Sequence, residues 1–514
     1  MTIYQVAAPR RLLTLGALII RGLVVPGLIV LAGCAVGPNF HSPEPPAVDA
    51  YRKDALPPAT ASAGVPTGDA QRFLEGGDVP EQWWTQFASD ELNRRVAQAL
   101  AHSPSVASAQ AALRRAQENA NAARGALFPS VDAKAGVTRG NVTQFNGVPA
   151  TGGATGASTF TLYNVGVNVG YTLDLFGGVR RTIEAQSALA DAQLFQLEGT
   201  YLSLASNVAT ASFREASLRE QIHATEQIIA DYRTELDLVE KQNEIGAKSM
   251  SDVLVIRTQV ATVEATLPPL RQALEQTQTQ LAVYLGQFPS TAELSAVNLD
   301  ALTLPHDIPV SLPSTLTRQR PDVRAAEAQL HSATADVGIA TANLFPQITL
   351  TGNLGSIALH TGDLFGGGTK AWGVGGNLLA PLFHGGTLRA QERAAEAGLD
   401  KAAADYQSTV LTAFQNVADS LRALELDADS LQAQAAAEKS AEASLELVRF
   451  QYRNGSASYL QVLDATRQFQ QARIGLIQAR AARLADTAAL YAALGGGWRE
   501  DDARKVAIAA PPPE

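Results

Sequence analysis

The stretch "LYNVGVNVGYTLDL", residues 162–175, alternates almost completely with a period of two. Tyr163, Val165, Val167, Val169, Tyr171, Leu173 and Leu175 hold one parity, and Asn164, Gly166, Asn168, Gly170, Thr172 and Asp174 the other. That spacing predicts a strand with one apolar and one polar, glycine-rich face. Residues 131–138 alternate too, with a Gly/Thr-rich loop between the two segments, which predicts a β-hairpin over 130–176. Ile348, Leu350 and Leu354, a glycine loop at 366–368, then Trp372 and Val374 predict a second hairpin over 347–383. The chain is expected to hold four strands.

The two hairpins belong to a duplication. "PSVASAQAALRRAQENANAARGALFPSV" (104–131) aligns with "PDVRAAEAQLHSATADVGIATANLFPQI" (321–348), and the two "LFP" triplets coincide. "LFGGVRRTIEAQ" (175–186) then resembles "LFHGGTLRAQER" (382–393), and residues 236–259 align with 445–468. Leu285-Gly286 matches Leu494-Gly495, so the order of matches is kept along the whole unit.

Each half opens with an Ala-rich helix expected to stop at Phe-Pro (Pro129, Pro346), because a residue before proline disfavours the helical region. Long helices follow the Gly-Gly pairs at 177–178 and 385–386. Val410, Phe414, Val417, Leu421, Leu424, Ala428 and Leu431 step by four and three, as do Leu197, Tyr201, Leu204, Val208 and Ala211. These are coiled-coil-like seams. A helix over 178–245 would span ~100 Å, a length suited to bridging a compartment; an ordinary bundle of bent helices is the plainer alternative. Four amphipathic strands cannot close a barrel alone, and an open sheet edge is not tolerated in a bilayer. Closure therefore needs further copies. Two chains would give eight strands with a filled interior, and three would give twelve with an aqueous lumen, which suits the polar face better.

The 514 residues carry a formal charge of -10, with 46% hydrophobic and 18% charged residues. No basic patch is present, which argues against nucleic acid as a partner. Arg10 and Arg11 precede an apolar run that ends in "LAGC" at 31–34. This segment resembles a bacterial lipoprotein signal peptide, although Arg21 lies inside the run and leaves the start codon open. Cleavage before Cys34, the single cysteine, would leave 37 basic against 50 acidic residues, about −13. A buried free cysteine is the alternative reading of Cys34. Ala35, rather than aspartate, follows it, which favours the outer membrane. No later run of 18 or more apolar residues predicts a transmembrane helix.

With "LAGCAVGPNF" (31–40), the Trp83-Trp84 pair, the duplicated "LFP" and the glycine turns at 246 and 455, the chain resembles the TolC-like outer-membrane factor family. Within it the resemblance is to the lipoprotein branch of OprM- and NodT-type efflux channels. The resemblance implies an α+β membrane protein. Its duplicated strand-strand/long-helix halves give four strands per chain, completing a trimeric 12-stranded β-barrel joined to a periplasmic α-helical barrel. It implies a signal peptide at 1–33, an acylated N-terminal segment at 34–86, a first repeat at 87–286 and an equatorial linker at 287–314. A second repeat at 315–495 and an equatorial tail at 496–514 complete the chain. It further implies a lipid-anchored homotrimer in the outer membrane of a Gram-negative bacterium. Cys34 would carry a diacylglycerol thioether and an N-palmitoyl group, with no other cofactor and no metal. The partners implied are a periplasmic adaptor and an inner-membrane transporter of the resistance-nodulation-division (RND) type. The trimer would act as the passive exit duct for small molecules; a type I protein secretion duct is the other use of such an architecture.

The stretch "YRNGSASYLQVLDATRQ" (452–468) is then a helix-hairpin tip. Gly455 fits a C′ residue, and Ser458 with Gln461 fits a capping box. Gly246, Ser249 and Asp252 hold the same places in the first half. Asp252 and Gln461 are read equally well as plain caps. Asp464 lies one turn deeper and shares a face with Leu460. By the resemblance, Leu460 and Asp464 constrict the closed periplasmic gate, where three aspartates would form a cation-selecting ring. A buried seam leucine is the alternative for Leu460. Also by the resemblance, Tyr452 and Asp252 latch neighbouring helices. Ala457 stands where some members have an arginine facing the position of Asp252, which leaves Arg453 as the candidate substitute.

Two other classes fit less well. The chain has no H-E-x-x-H, G-x-S-x-G or C-x-x-C, and "GGGTK" (366–370) lacks the spacing of a phosphate loop, so an enzyme is not expected. His384 beside Gly385 reads as a turn residue. A lipid-anchored coiled-coil scaffold explains Cys34 and the seams but not the four strands.

Overall fold

The computed structural model describes residues 35–142 and 158–497. Among them are six strands: β1 (Arg72–Glu75), β2 (Ser130–Val142), β3 (Ser158–Leu173), β4 (Asp307–Val310), β5 (Gln347–Ala358) and β6 (Lys370–Leu379). The helices are α1 (Asp90–His102), α2 (Pro104–Gly125), α3 (Gly178–Glu244), α4 (Met250–Glu264) and α5 (Leu267–Tyr284). They continue with α6 (Pro313–Gln319), α7 (Pro321–Ala342), α8 (Thr387–Arg453) and α9 (Tyr459–Ala493). No described helix is long and apolar enough to cross a membrane. The chain divides into two compact units. The first takes the described residues up to Ser42 with Arg115–Ala190 and Ala328–Ala403, and the second takes the rest.

The first unit is built on one antiparallel sheet of order β2-β3-β5-β6. Val167 lies opposite Ala133 and Leu354, and Leu354 opposite Trp372, so one face is apolar. Asn168 lies opposite Asp132 and Asn353, and Asn353 opposite Gly373, so the other face is polar. Paired residues share a side of the sheet, and the period-2 pattern therefore carries across all four strands. Glycine on the polar face has a steric reason. A Cβ at Gly136 would sit 3.1 Å from the Asn164 Oδ1, and one at Gly373 2.8 Å from the Asn353 Oδ1. Each amide lies flat across the glycine of the next strand. The apolar face is uncovered: Trp372 is 74% and Val374 81% exposed.

The helices that feed the sheet stop short of Phe-Pro. α2 ends at Gly125 and α7 at Ala342, and tight turns (Phe128 N–H to Gly125 O, Phe345 N–H to Ala342 O, both 3.1 Å) carry the chain to the prolines. Beyond β3, Asp174 caps α3, accepting from the amides of Val179 and Arg180 at 3.0 Å. Gly177, Gly385 and Gly386 take positive φ at the strand-to-helix corners.

The second unit has two apolar cores. In one, the seam residues Val417, Leu421 and Leu424 are fully buried beside Leu197, Leu204 and Val208, while Phe414 is only partly buried. Trp83 joins them, its ring 5.7 Å from that of Tyr491. The other core gathers Ile229, Tyr232, Val253, Ile256, Tyr459 and Val462 near the hairpin tips. Two features add to the expected four strands and helical hairpins. β1 and β4 form an additional parallel pair, Arg72 opposite Asp307; strands of four residues are too short to show a period. The return helix of the first half is split into α4 and α5 by Pro268 and Pro269 at the start of α5, because proline supplies no amide for the helical ladder. The equivalent α9 runs unbroken over Tyr459–Ala493.

A charged cluster crosses this unit. Arg95, 2% exposed, lies 2.8 Å from the fully buried Glu215, which also meets Arg219 at 2.8 Å and Gln278 at 3.2 Å. Arg95 further donates to Ser212 Oγ at 2.9 Å and to the Ser295 carbonyl. The cluster ties α1, α3, α5 and the segment beyond α5 together. Removing one partner strands a buried charge, at a cost of about 3–5 kcal/mol. Glu215→Ala is accordingly expected to lower the thermal midpoint of the purified protein by several degrees, with Glu215→Gln milder. Equal midpoints for wild type and Glu215→Ala would refute this.

Candidate gate and anchoring site

The two hairpin tips are built alike. At the first, Gly246 takes φ +77 and donates to the Asn243 carbonyl at 2.9 Å, while the Asn243 side chain donates to the Lys248 carbonyl at 2.8 Å. Ser249 caps α4: its amide and hydroxyl donate to Asp252 Oδ2 at 3.0 and 2.8 Å, and its Oγ accepts from the Asp252 amide at 3.2 Å. The Ser249 side-chain and backbone hydrogen bonds hold the Asp252 carboxyl below the usual carboxylate range. At the second tip, Gly455 takes φ +76 and donates to the Tyr452 carbonyl at 3.0 Å, and the Ser456 amide closes on Gln451 O at 2.9 Å. That pair of bonds satisfies carbonyls which the helix end would otherwise orphan. The Ser458 amide donates to Gln461 Oε1 at 2.7 Å, and its hydroxyl to the same atom at 3.1 Å.

The tips touch each other. Tyr452 packs on Tyr459 with ring centroids 5.6 Å apart, and the Lys248 ammonium stands 5.4 Å from the Tyr452 ring. Tyr452 is thus engaged within its own chain, while Arg453 is exposed at the end of α8. Leu460 is 70% exposed, so it does not fill the seam of its own chain; Tyr459, Val462 and Leu463 do. Leu460 and Asp464 lie one turn apart on the exposed face of α9. Asp464 is not a bare carboxylate there. Arg467 donates to its Oδ1, and Gln468 to its Oδ2 at 2.6 Å. Asp464 with Arg467 is a three-residue spacing on one helix, visible in the sequence. Lys248 had no such signal, because its partner ring lies 204 positions away.

Cys34, the expected anchor, and the tail beyond residue 497 lie outside the described residues. Residues 35–40, immediately after the cysteine, are closely held in the first unit. The Val36 amide donates to the Phe176 carbonyl at 3.0 Å, and Arg181 donates to Asn39 Oδ1 at 2.7 Å. Phe40 stacks on His331 at 4.3 Å, and His331 meets Glu184 at 3.0 Å. Gly177 leaves room for the backbone of Ala35: a Cβ there would lie 2.6 Å from the Ala35 Cα. Residue 35 therefore sits at the corner where β3 becomes α3.

The family model "outer membrane efflux protein" matches residues 96–287 and again residues 312–496, one match per half. The "probable efflux pump outer membrane protein TtgC" of Pseudomonas putida is 32% identical over 478 residues, covering 92% of this chain and 94% of that protein. The "probable outer membrane lipoprotein SilC" of Salmonella typhimurium is 26% identical, over 93% of this chain and 99% of that protein. Among solved structures, the outer-membrane channel OprN superposes with a TM-score of 0.79 at 29% identity, over 90% of this chain and all of that one. Two family matches, one for each half of the duplication, and a shared fold over nine-tenths of the chain place it plainly: the chain belongs to the outer membrane efflux protein family.

Proposed function

We propose that three copies of this chain form the outer-membrane exit duct of a tripartite efflux system, conducting small molecules passively to the exterior. The observation that carries this is the sheet. It has one largely uncovered apolar face, one polar glycine-relieved face and two edges, β2 and β6, that pair with no further strand among the described residues. In hydrocarbon both edges need partners, and three copies pairing edge to edge supply twelve strands around a lumen lined by Asn164, Asn168, Asn353 and Asn377. The long helices α3 and α8, 67 residues each, extend the duct into the periplasm. There a periplasmic adaptor would couple it to an inner-membrane pump, taken to be of the RND type. The segments 34–86, 287–314 and 496–514 would form the equatorial belt.

In this reading Cys34 carries the diacylglycerol thioether and N-palmitoyl group, and the close hold on residues 35–40 keeps that lipid beside the sheet. Leu460 and Asp464 form the periplasmic gate, with Tyr452, Asp252 and Arg453 at the latches between neighbouring helices. Arg467, bound to Asp464, belongs to the same gate. Its guanidinium offsets the Asp464 charge, so the ring is a set of ion pairs that opening would have to carry or break.

Unheated outer-membrane fractions should show a trimer band that collapses on boiling and copurifies with an adaptor; a soluble periplasmic monomer would sink the proposal. Cys34→Ser should abolish incorporation of labelled palmitate, and retained label would place the lipid elsewhere. In planar bilayers, Asp464→Ala should weaken cation preference and raise the conductance of the closed channel, and Arg467→Ala should strengthen cation preference. Unchanged selectivity in both variants would remove these residues from the gate.

A further inference from the structure

On the apolar face of the sheet, near the β5–β6 connection, is a cleft of about 600 Å³, within the size range of ligand sites. Its apolar floor comes from Ala133, Ala135, Val165, Val167 and Leu354 on three adjacent strands, and Leu364 from the connection forms a wall. The connection is pinned. The Ile357 amide donates to the Thr369 carbonyl at 3.0 Å, and the Thr369 hydroxyl lies 2.8 Å from Ser356 Oγ and 2.9 Å from the Asp363 carbonyl. Ser356 and Ala358 are buried beneath it, at 8% and 5% exposure.

Charge marks one end of this face. Lys370 lines the cleft and, opposite Ser356, shares the apolar side of the sheet. Arg139 has the same parity as Ala133, Ala135 and Val137, and lies beyond them toward the same end. Both are exposed, and neither forms an ion pair among the described residues. No strand residue on this face is acidic: Asp132 has the opposite parity, and Asp363 of the connection faces His360 at 3.5 Å. In an otherwise acidic chain this face offers hydrocarbon below and two cations above. We infer that the cleft binds a phosphate-bearing acyl lipid of the outer leaflet, its chain on Ala135, Val165 and Leu354 and its phosphate at Lys370, with Arg139, on the opposite edge strand and four rows further along, adding longer-range attraction. This rests on the barrel reading above, which turns the apolar face to lipid. Long cationic side chains reach the headgroup level from such positions, where they attract anionic headgroups. A neighbouring copy is not the occupant. It would pair in the plane of the sheet at β2 and β6, whereas the cleft floor centres on β3.

The test uses the purified full-length trimer, with bis-phosphorylated lipid A and its dephosphorylated form as probes in native mass spectrometry. Wild type should retain the phosphorylated lipid preferentially. Lys370→Ala should bind it about tenfold more weakly, and Lys370→Ala/Arg139→Ala more weakly still, with the dephosphorylated probe unaffected. Ala135→Trp, which fills the cleft, should weaken both probes. Equal retention of the two lipids by wild type, or wild-type binding in the double variant, would overturn the proposal. The trimer and its conductance should persist in every variant; loss of the trimer in wild type would instead refute the barrel.

Discussion

A backbone amide left unpaired in hydrocarbon costs roughly 2–7 kcal/mol, and this sheet exposes a row of such groups along β2 and another along β6. Nothing described in the first unit covers them. The chain is in that sense unfinished as a single copy, and this requirement shapes much else. The apolar and polar faces must each carry through the middle of all four strands so that copies joined edge to edge present continuous surfaces. At two pairs on the polar side, Gly136 with Asn164 and Gly373 with Asn353, a side chain in place of glycine would lift the amide off the wall into the lumen. Family membership and the superposition on OprN agree with such a wall.

The helical part solves a different problem, that of turning two very long helices back on themselves without loose ends. Glycine at positive φ, a serine cap and a carboxylate or amide three residues on do this twice. Having met its backbone needs locally, each tip leaves its exposed side chains free of structural duty. Leu460 and the Asp464–Arg467 pair are such residues, and they are where selection for function has room to act.

Legibility in the sequence depended on range and repetition. The β3 strand could be read because 13 alternating residues leave little ambiguity, and the seam of α8 because seven positions keep one rhythm. Gly246 and Gly455 could be read because a turn needs its residue locally. β1 and β4 could not be, since four residues have no period and their pairing joins positions 235 apart. The Arg95–Glu215 cluster was equally hidden, because its members lie on separate elements and look like ordinary surface charges until the fold buries them. The Asp464–Arg467 pair was within reach, three residues apart on one helix, but a single carboxylate considered alone hides its partner.

The proline pair at 268–269 bears on how the duplicated halves work. A helix interrupted by two residues without amide hydrogens yields at that point more readily than an unbroken one. α4 and α5 are therefore two staves with a joint, and α9 is a single stave of 35 residues. The halves descend from one unit and share its outline, yet they are not mechanical equals: duplication has given the chain one compliant arm and one stiff one.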